Sequence, residues 1–482
     1  MPKSLIIIGC GPGGYATAEY AAQAGLTVTV FEKAEAGGTC LNRGCIPTKV
    51  YCHAAGLVLD NTAASGWGLW QSAQPAIDFA KLHAHKEAVV AQLREGVETL
   101  MRQPGITLVR GAARLKDAHT VTCDGQDYVA DHILIATGSH PVLPRVEGID
   151  HPKVVDSTGL LALDKLPRHL IIIGAGVIGI EMASAFNAFG TEVTVVEFLK
   201  ECLPMADADL AKRLRKSLEK RGVKFYMQSA AKRVSDEGVS SPDNVALTFT
   251  QKGKDLTVEG DLILAATGRG PNTEGLWLED VGVDFDRHGI KVDDNFETSV
   301  KDVYAIGDVN GRMQLAHAAE AQGRRVVDIL LGRERPLDVS LVPWAVFTVP
   351  ELAGTGCTLD ALKAEAALSA QKAEAALSAE KGEAAMSAEK GEAALTTQEN
   401  LADKPVETKS FYRANGKAVA MDATEGLVKV VSAADGKLAG CHVLGAHAVD
   451  LVQEVSALIS VGATVDDLKR VIHIHPTVQE LL

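Results

Sequence analysis

The stretch Leu5-Ile6-Ile7-Ile8-Gly9-Cys10-Gly11-Pro12-Gly13-Gly14 decides the fold of this chain. It joins an apolar run, typical of a buried strand, to a G-x-G-x-x-G turn. The first glycine allows a tight bend, the second lets the backbone approach a pyrophosphate, and the third lets the next helix pack on the strand. A second strand-like run, Val28-Thr29-Val30-Phe31, ends in Glu32, whose carboxylate can bind ribose hydroxyls. The pattern predicts a dinucleotide-binding unit.

The same pattern recurs 165 residues further along the chain. Leu170-Ile171-Ile172-Ile173-Gly174-Ala175-Gly176-Val177-Ile178-Gly179 repeats the strand and turn, and Val193-Thr194-Val195-Val196-Glu197 repeats the second strand. One such glycine motif is weak evidence, but two in matched contexts, each with its acid, are strong. The candidate nucleotide-binding residues are Gly9, Gly11, Gly14 and Glu32 in the first unit and Gly174, Gly176, Gly179 and Glu197 in the second.

A second repeat has a different offset. Ile133-Leu134-Ile135-Ala136-Thr137-Gly138 matches Ile263-Leu264-Ala265-Ala266-Thr267-Gly268, and each run predicts a buried strand that ends in a small-residue turn. We interpret them as the closing strands of the two units. A further strand, from Tyr304, ends in Gly307-Asp308. An aspartate at the carboxyl end of a strand in an open α/β sheet is well placed to bind a ligand, although Gly-Asp is also a common turn.

Two cysteines stand close together in Gly37-Gly38-Thr39-Cys40-Leu41-Asn42-Arg43-Gly44-Cys45-Ile46-Pro47-Thr48-Lys49. In a regular helix, residues five apart have Cα atoms roughly 8–9 Å apart, beyond the ~7 Å limit for a disulfide. Gly44 permits the distortion that a bridge needs, and Pro47 suits a first helical turn. A strained bridge is easily reduced. We therefore interpret Cys40 and Cys45 as a working redox pair.

Composition excludes several classes of function. The chain has 482 residues, 46% hydrophobic and 23% charged, and a net charge of −14, which argues against nucleic acid or an anionic membrane as a partner. The eight cysteines are scattered apart from the opening pair, as in a reducing compartment. A strand-like run begins at Leu5 and no apolar run approaches ~18–20 residues. We expect no targeting peptide, no membrane span and a cytoplasmic location.

Together these motifs resemble the flavoprotein pyridine nucleotide-disulfide oxidoreductases, and most of all their dihydrolipoamide dehydrogenase branch. The resemblance covers nearly the whole chain. It implies that FAD binds the first unit and NAD the second, that Cys40 is the thiol that exchanges with substrate, and that Cys45 faces the flavin. The residues implied for FAD are Gly9, Gly11, Gly14, Glu32, Lys49, Thr137, Gly138 and Asp308, and those for NAD are Gly174, Gly176, Gly179, Glu197 and Gly268.

The C-terminal run His473-Ile474-His475-Pro476-Thr477-Val478-Gln479-Glu480 resembles the H-x-H-P-T-x-x-E signature of the same family. The resemblance implies that His475 is the acid/base and that Glu480 orients it toward the partner subunit's disulfide across a dimer interface. An imidazole can take and return a thiol proton near neutral pH. Alone, two histidines two apart would more often be a surface pair or part of a metal site. With no nearby cysteine, we expect no metal, and we interpret His473 as structural.

The residues after Glu197 bear on the choice of nucleotide. Phe198-Leu199 follows, with no arginine to meet a 2′-phosphate, so NAD is favoured over NADP.

The enzyme that the resemblance implies oxidises dihydrolipoyl groups and works as a homodimer on a lipoyl-bearing protein of a 2-oxoacid dehydrogenase or glycine cleavage system. The alternatives are an NAD(P)H-dependent reductase of another disulfide and a structural subunit whose flavin site is vestigial.

The predicted fold class is α/β, with two Rossmann-like dinucleotide-binding domains and a C-terminal α+β dimerisation domain. We expect the FAD domain at 1–150 and 272–340, the NAD domain at 151–271 and the interface domain at 341–482.

The interface domain contains an insertion at 363–398 that comprises four copies of a nonapeptide of helix-forming composition. A nine-residue period advances half a helical turn, so its apolar residues alternate between faces. A solvated excursion is favoured over a docking arm. Arg43, between the cysteines, is either a surface cation or an aid to a thiolate or an acidic substrate.

Overall fold

A computed structural model of the chain describes residues 3–69, 77–334, 338, 341–384 and 404–482. These residues fall into two compact units. Unit 1 comprises Met1–Pro204 and Arg215–Val339, and unit 2 comprises Met205–Leu214 and Ser340–Leu482. The predicted boundary between an FAD and an NAD domain is not resolved by this division and stays a prediction.

Helices and strands alternate along much of the described chain. The helices are α1 Pro12–Gln23, α2 Gly38–Arg43, α3 Cys45–Gly66, α4 Phe79–Leu100, α5 Ser157–Leu161, α6 Val177–Ala188, α7 Ala208–Lys220, α8 Leu278–Val281, α9 Ala316–Leu330, α10 Leu359–Ala384, α11 Gly416–Ala420, α12 Ala448–Ser460 and α13 Val465–Arg470. The strands are β1 Ser4–Ile8, β2 Thr27–Glu32, β3 Ile106–Arg110, β4 Arg114–Leu115, β5 Thr120–Cys123, β6 Gln126–Val129, β7 His132–Ile135, β8 Ser139–Pro141, β9 Val154–Val155, β10 His169–Ile173, β11 Glu192–Val196, β12 Lys224–Tyr226, β13 Ser229–Ser235, β14 Val245–Gln251, β15 Lys254–Gly260, β16 Leu262–Ala265, β17 Arg269–Pro271, β18 Phe285–Asp286, β19 Gly289–Ile290, β20 Val303–Ala305, β21 Trp344–Val346, β22 Glu351–Gly356, β23 Val406–Phe411, β24 Leu427–Ser432 and β25 Leu438–Gly445.

Unit 1 contains two five-stranded parallel sheets of the same design. The first has the order β20-β7-β1-β2-β3 and the second β9-β16-β10-β11-β12. In each, a three-stranded antiparallel sheet precedes the closing strand, β4-β5-β6 before β7 and β13-β14-β15 before β16. Successive residues of β1 enter different apolar clusters on the two faces of their sheet, as a sheet buried on both sides requires. The duplication predicted from the repeats is confirmed.

The glycine turns explain why the two halves fold alike. Gly9 and Gly174 have φ values of +109° and +105°, which favour glycine. A Cβ atom on Gly14 would lie 1.9 Å from the Gly9 carbonyl oxygen, and one on Gly179 would lie 2.1 Å from that of Gly174. In each half the third glycine therefore allows the helix, α1 or α6, to start against the turn.

The two closing strands lead into segments that pair with each other. β8 and β17 each follow an Ala-Thr-Gly turn, and they run antiparallel with Ser139 opposite Pro271 and Arg269 opposite Pro141. The two segments that match in the repeat at offset 130 thus meet in space. This pairing places Arg269 beside Ser139 in unit 1.

Unit 2 is built on a five-stranded antiparallel sheet of order β21-β22-β25-β24-β23. Apolar residues of α12 form one core with those of β24 and β25. The predicted antiparallel sheet with helices is therefore present. The helix α10 follows β22 and includes the first part of the nonapeptide insertion. Residues 385–398 of the insertion lie outside the described residues.

A buried cation ties the sheet of unit 2 to residues of the 205–214 segment. The Lys429 side chain is 5% exposed, and its Nζ lies 2.8 Å from Asp207, 3.7 Å from Asp209 and 3.9 Å from Glu407. Three carboxylates thus surround one buried ammonium group. Removing one partner of a buried ion pair leaves uncompensated charge that costs several kcal/mol.

We expect Lys429→Ala to lower the free energy of unfolding by about 3 kcal/mol, measured by urea denaturation of the whole protein. The matched control is Lys409→Ala, because Lys409 is largely exposed and pairs with the same Glu407 at 2.9 Å. Its loss should cost at most about 1 kcal/mol. Equal effects of the two substitutions would contradict the role given to Lys429.

Candidate active site

The first glycine turn leaves room for a phosphate group. The nearest atom to a Cβ built on Gly11 is the Gly38 Cα, at 3.8 Å, and α1 begins at the next residue with Pro at its start. The Glu32 carboxylate accepts hydrogen bonds from the Cys10 and Ala34 N–H groups, both at 2.8 Å. Each oxygen keeps acceptor capacity for a ribose hydroxyl. The residues predicted for FAD therefore fit the adenosine pyrophosphate part of that group.

The second glycine turn is built in the same way. A Cβ on Gly176 would meet nothing within 4 Å, so the turn is open where a pyrophosphate would approach. The Glu197 carboxylate accepts from the Ala175 N–H at 2.5 Å and from the Leu199 N–H at 2.7 Å. Phe198 is 73% exposed beside it. The site fits a nucleotide with a free 2′-hydroxyl, since a carboxylate repels a phosphate.

The cysteine segment packs directly on the first glycine turn. The Gly37 N–H donates to the Cys10 carbonyl at 2.8 Å. Gly38, at φ +60°, lies so close to Gly11 that a Cβ atom would come within 2.6 Å of the Gly11 Cα. The turn that would hold the FAD pyrophosphate therefore also positions α2, which carries Cys40.

Cys40 and Cys45 lie on two different helices. α2 ends at Arg43 and α3 begins at Cys45, with Gly44 at φ −140° and ψ −108° between them. Because the helix is broken at Gly44, the two cysteines are not held at the Cα separation that a continuous helix would impose. Their side chains are in hydrogen-bonding contact. Both are free thiols in this structure, Cys40 half-buried and Cys45 exposed.

The two thiols differ in acidity. A hydrogen bond from the Cys40 thiol, assisted by the nearby Lys49, lowers the pKa of Cys45 to about 7. The same hydrogen bond and burial raise the pKa of Cys40. Cys45 also begins the 22-residue helix α3, whose N-terminus favours an anion. Cys45 is therefore the member of the pair suited to persist as a thiolate.

We expect Cys40→Ala to raise the pH midpoint of Cys45 alkylation by more than one unit from about 7, because it removes the hydrogen-bond donor. Below its midpoint the thiol is protonated and unreactive. The measurement is the rate of iodoacetamide labelling of the reduced protein against pH, with peptide mapping. Cys40→Ser keeps an O–H donor and should shift the midpoint less. Unchanged midpoints in both variants would contradict the assignment.

Glu181 is a functional candidate that the sequence analysis missed. Lys49 Nζ donates to both Glu181 oxygens, at 2.9 and 3.0 Å, and the Glu181 side chain is 4% exposed. Burial acts to lower the pKa of Lys49, but Glu181 outweighs it and the pKa is raised. The cation beside Cys45 is thus held in place and kept charged. The sequence does contain an indication of this role. The residue of the first repeat that matches Glu181 at offset 165 is Ala16, so the second repeat carries an acid where the first has a small apolar residue.

Asp308 belongs to a hydrogen-bond network with two residues that the sequence motifs did not identify, Ser139 and Arg269. Ser139 Oγ donates to Asp308 Oδ2 at 2.5 Å, and Arg269 donates to the Ser139 Oγ and carbonyl at 2.8 and 2.7 Å. Burial raises the pKa of Asp308. Thr137 Oγ1 donates to the Asn272 carbonyl at 2.7 Å. These bonds fix the turn of Thr137 and Gly138 next to Asp308.

Gly268, predicted for NAD, has a φ of +119° in the matching turn of the second half. A Cβ built on it would meet nothing within 4 Å. The turn is therefore open at this residue.

The C-terminal pair lies in unit 2. His475 Nδ1 donates to Glu480 Oε1 at 2.9 Å, and the Thr477 N–H donates to Glu480 Oε2 at 3.0 Å. The His475 side chain is 80% exposed. The contact with His475 holds the pKa of Glu480 below its ordinary value. With Nδ1 bonded to a carboxylate, Nε2 is the nitrogen left for proton transfer.

Among the residues the structure describes, no group of three or more His, Cys, Asp or Glu side chains could hold a metal ion. Within the same residues, no helix is both long enough and apolar enough to cross a membrane.

Comparison with known proteins defines the class. Residues 3–323 match the pyridine nucleotide-disulphide oxidoreductase family, and residues 392–482 match the dimerisation domain of that family. The chain belongs to this family. It is an oxidoreductase with FAD and NAD as cofactors, and its dimerisation domain supports homodimer formation. The predicted family and fold class are confirmed.

Individual relatives cover almost the full length. The chain is 38% identical to a dihydrolipoyl dehydrogenase of Thermus scotoductus, over 99% of this chain and 95% of the relative. It is 36% identical to the mitochondrial dihydrolipoyl dehydrogenase of Pisum sativum, over 100% and 90%. Among solved structures, the HOCl-induced flavoprotein disulfide reductase RclA from Escherichia coli aligns with a TM-score of 0.80 at 28% identity, covering 99% of this chain and 98% of that one.

Proposed function

We propose that this enzyme oxidises protein-bound dihydrolipoyl groups to the cyclic disulfide and delivers the electrons to NAD⁺. The observation that carries the proposal is the polarised pair of Cys40 and Cys45, with Cys45 beside Lys49 at a helix N-terminus. Full-length relatives named dihydrolipoyl dehydrogenase support the choice of substrate.

The dithiol reaction starts from the disulfide form of the pair. His475 Nε2 takes a proton from one substrate thiol, and the resulting thiolate attacks Cys40 Sγ. The Cys40–Cys45 bond breaks and Cys45 leaves as a thiolate, stabilised by Lys49. The second substrate thiol then attacks the substrate sulfur of the mixed disulfide, so lipoamide closes and Cys40 leaves. Cys40 takes the first proton from His475, and His475 accepts the proton of the second substrate thiol. The two substrate protons then reside on Cys40 and His475, and the electron pair resides on the reduced cysteine pair, with Cys45 as the thiolate.

The cofactors complete the turnover. FAD, held by the residues of the first unit, would supply two-electron chemistry between the cysteine pair and NAD⁺. The residues that would hold FAD are those of the first glycine turn, Glu32, Lys49, Thr137, Gly138 and Asp308. Those that would hold NAD are the second glycine turn, Glu197 and Gly268. The chain's own contribution is to bind both groups, to orient Cys45 and to keep Lys49 charged through Glu181.

The proposed active site is shared between two subunits. His475 of one subunit would serve the cysteine pair of the other, on a homodimer whose lipoyl-bearing partner belongs to a 2-oxoacid dehydrogenase or glycine cleavage system. The exposure of His475 and of its apolar neighbours Ile472 and Ile474, 96% and 79% exposed, supports a surface that a second copy covers. A reducing compartment such as the cytoplasm suits a chain whose cysteines, apart from the pair of Cys40 and Cys45, are scattered.

A substrate panel on the holoenzyme tests the proposal. We expect dihydrolipoamide with NAD⁺ to give a kcat/KM at least about 100-fold above that with NADP⁺, since Glu197 repels a 2′-phosphate. Oxidised glutathione or coenzyme A disulfide with NADH should react slowly. A faster reaction with one of these disulfides would replace the proposal with the second candidate.

That second candidate is an NAD(P)H-dependent reductase of another disulfide. Arg43 favours it, since it places a cation between the two cysteines, and so does the likeness to a flavoprotein disulfide reductase. In the structure Arg43 lies 3.7 Å from Glu35, and both side chains are largely exposed. The pairing offsets the charge of Arg43, which leaves the dihydrolipoyl proposal better supported.

Deleting residues 363–398 is expected to leave kcat, KM for a lipoyl-bearing protein and the dimer unchanged. The described side chains of α10 from 363 to 369 are all exposed, so this part of the excursion contributes nothing to the core. Steady-state kinetics and light scattering measure the result, with a Gly-Ser replacement of equal length as control. A raised KM for the carrier protein, with free dihydrolipoamide unaffected, would instead establish a docking arm.

A further inference from the structure

The segment that carries His475 is poorly attached to unit 2. Between α13 and the 3-10 turn at Val478–Leu481, Ile472 to Pro476 make no backbone–backbone hydrogen bond within the described part of the chain. Of the residues 471–476, only His473 is not exposed. An acid/base residue at the end of such a segment needs anchors on both sides, since proton transfer depends on geometry.

The downstream anchor is apolar. Val478 and Leu481 are 4% and 6% exposed in the core of unit 2. Asn415 Nδ2 also donates to the Thr477 carbonyl at 3.0 Å. These contacts hold Glu480 and the residues after Pro476, but not the residues before His475.

The upstream anchor is a second histidine–carboxylate pair. His473 Nε2 donates to Glu454 Oε1 at 2.9 Å, and the side chains are 15% and 29% exposed. Glu454 lies on α12, whose buried residues Leu451, Val452 and Val455 fix the helix in the core. The pair therefore connects the extended segment to a helix that is anchored in the core of unit 2.

We propose that Glu454, acting through His473, is a positioning residue for the His475–Glu480 pair. The inference rests on the proposed role of His475 as acid/base. Glu454 does not touch the substrate. It holds the peptide at His473, two residues before His475, so that Nδ1 of His475 meets Glu480 and Nε2 presents to the dithiol.

The test uses the dimeric holoenzyme and three variants at this pair. Glu454→Ala should lower kcat for dihydrolipoamide oxidation about 10- to 100-fold with KM within about twofold, because a displacement of about 1 Å has effects of this size. Glu454→Gln keeps an oxygen that accepts from His473 and should recover most of the rate. His473→Ala should match Glu454→Ala. Reduction of ferricyanide by NADH, which needs no proton transfer from a thiol, should be unchanged in all three.

The matched control is Asp450→Ala, which removes another histidine–carboxylate contact on the same helix, with His447 at 3.3 Å. It should retain wild-type kcat. The double variant Glu454→Ala/His475→Ala should be no slower than His475→Ala, since Glu454 acts only through His475. A Glu454→Ala kcat within twofold of wild type, or a further loss in the double variant, overturns the positioning role. A wild-type rate in His475→Ala is a different result and overturns the proposed function itself.

Discussion

Cys45→Ser is expected to lower kcat for dihydrolipoamide oxidation below about one-thousandth of the wild-type value, since a hydroxyl can neither form the disulfide nor leave as a stable anion. FAD should remain bound, because the glycine turn and Glu32 are formed by residues on α1, β1 and β2. The measurements are steady-state rates and the flavin absorbance of the desalted protein. Reduction of ferricyanide by NADH should survive in this variant.

The matched control for Cys45 lies on the same helix. Cys52 is buried, 8% exposed, and burial raises its pKa, so it takes no part in thiol exchange. Cys52→Ser should keep dihydrolipoamide turnover within a few-fold of wild type. A rate for Cys45→Ser within tenfold of wild type would show that electrons do not pass through this pair.

His475→Gln is expected to lower kcat about 10²- to 10⁴-fold, the range for loss of a general acid/base. Glutamine can still bond to Glu480 but cannot carry a proton between the substrate thiol and Cys40. Glu480→Gln should cause a smaller loss, since it leaves the imidazole in place and weakens only its orientation. His447→Gln is the control, because His447 is an exposed histidine paired with a carboxylate.

The pH dependence gives the His475 assignment a second readout. The contact with His475 keeps the pKa of Glu480 below its ordinary value, so the carboxylate stays ionised at neutral pH and the pair persists. Activity should therefore be lost on acidification in the wild type, while the residual rate of His475→Gln should lose this dependence. An identical pH profile in both proteins would contradict the role of His475.

Most of the fold could be predicted because it rests on local patterns. The glycine motif at Gly9 and its copy at Gly174 require a turn, a helix and a flanking strand that are adjacent in sequence. The repeat at offset 130 likewise located the turns at Thr137 and Gly138. The break at Gly44 followed from the incompatibility of the cysteine spacing with a regular helix.

The missed residues act through contacts that are distant in sequence. Glu181 meets Lys49 across 132 residues, and Arg269 meets Ser139 across 130. Each is a polar residue in an otherwise apolar or glycine-rich stretch, which hydrophobic periodicity does not explain. The place of His473 in its motif indicates a structural role, but its contact with Glu454 on α12 is not visible in the sequence.

Alkylation of the holoenzyme tests most directly whether Cys40 and Cys45 are the redox centre. The oxidised protein and the protein reduced anaerobically with one equivalent of dihydrolipoamide are each unfolded in excess iodoacetamide and mapped by peptide mass. We expect neither cysteine to be labelled in the oxidised protein and both to be labelled after reduction, with labelling of the other cysteines unchanged. Labelling of both in the oxidised protein, or of neither after reduction, would contradict the dithiol mechanism.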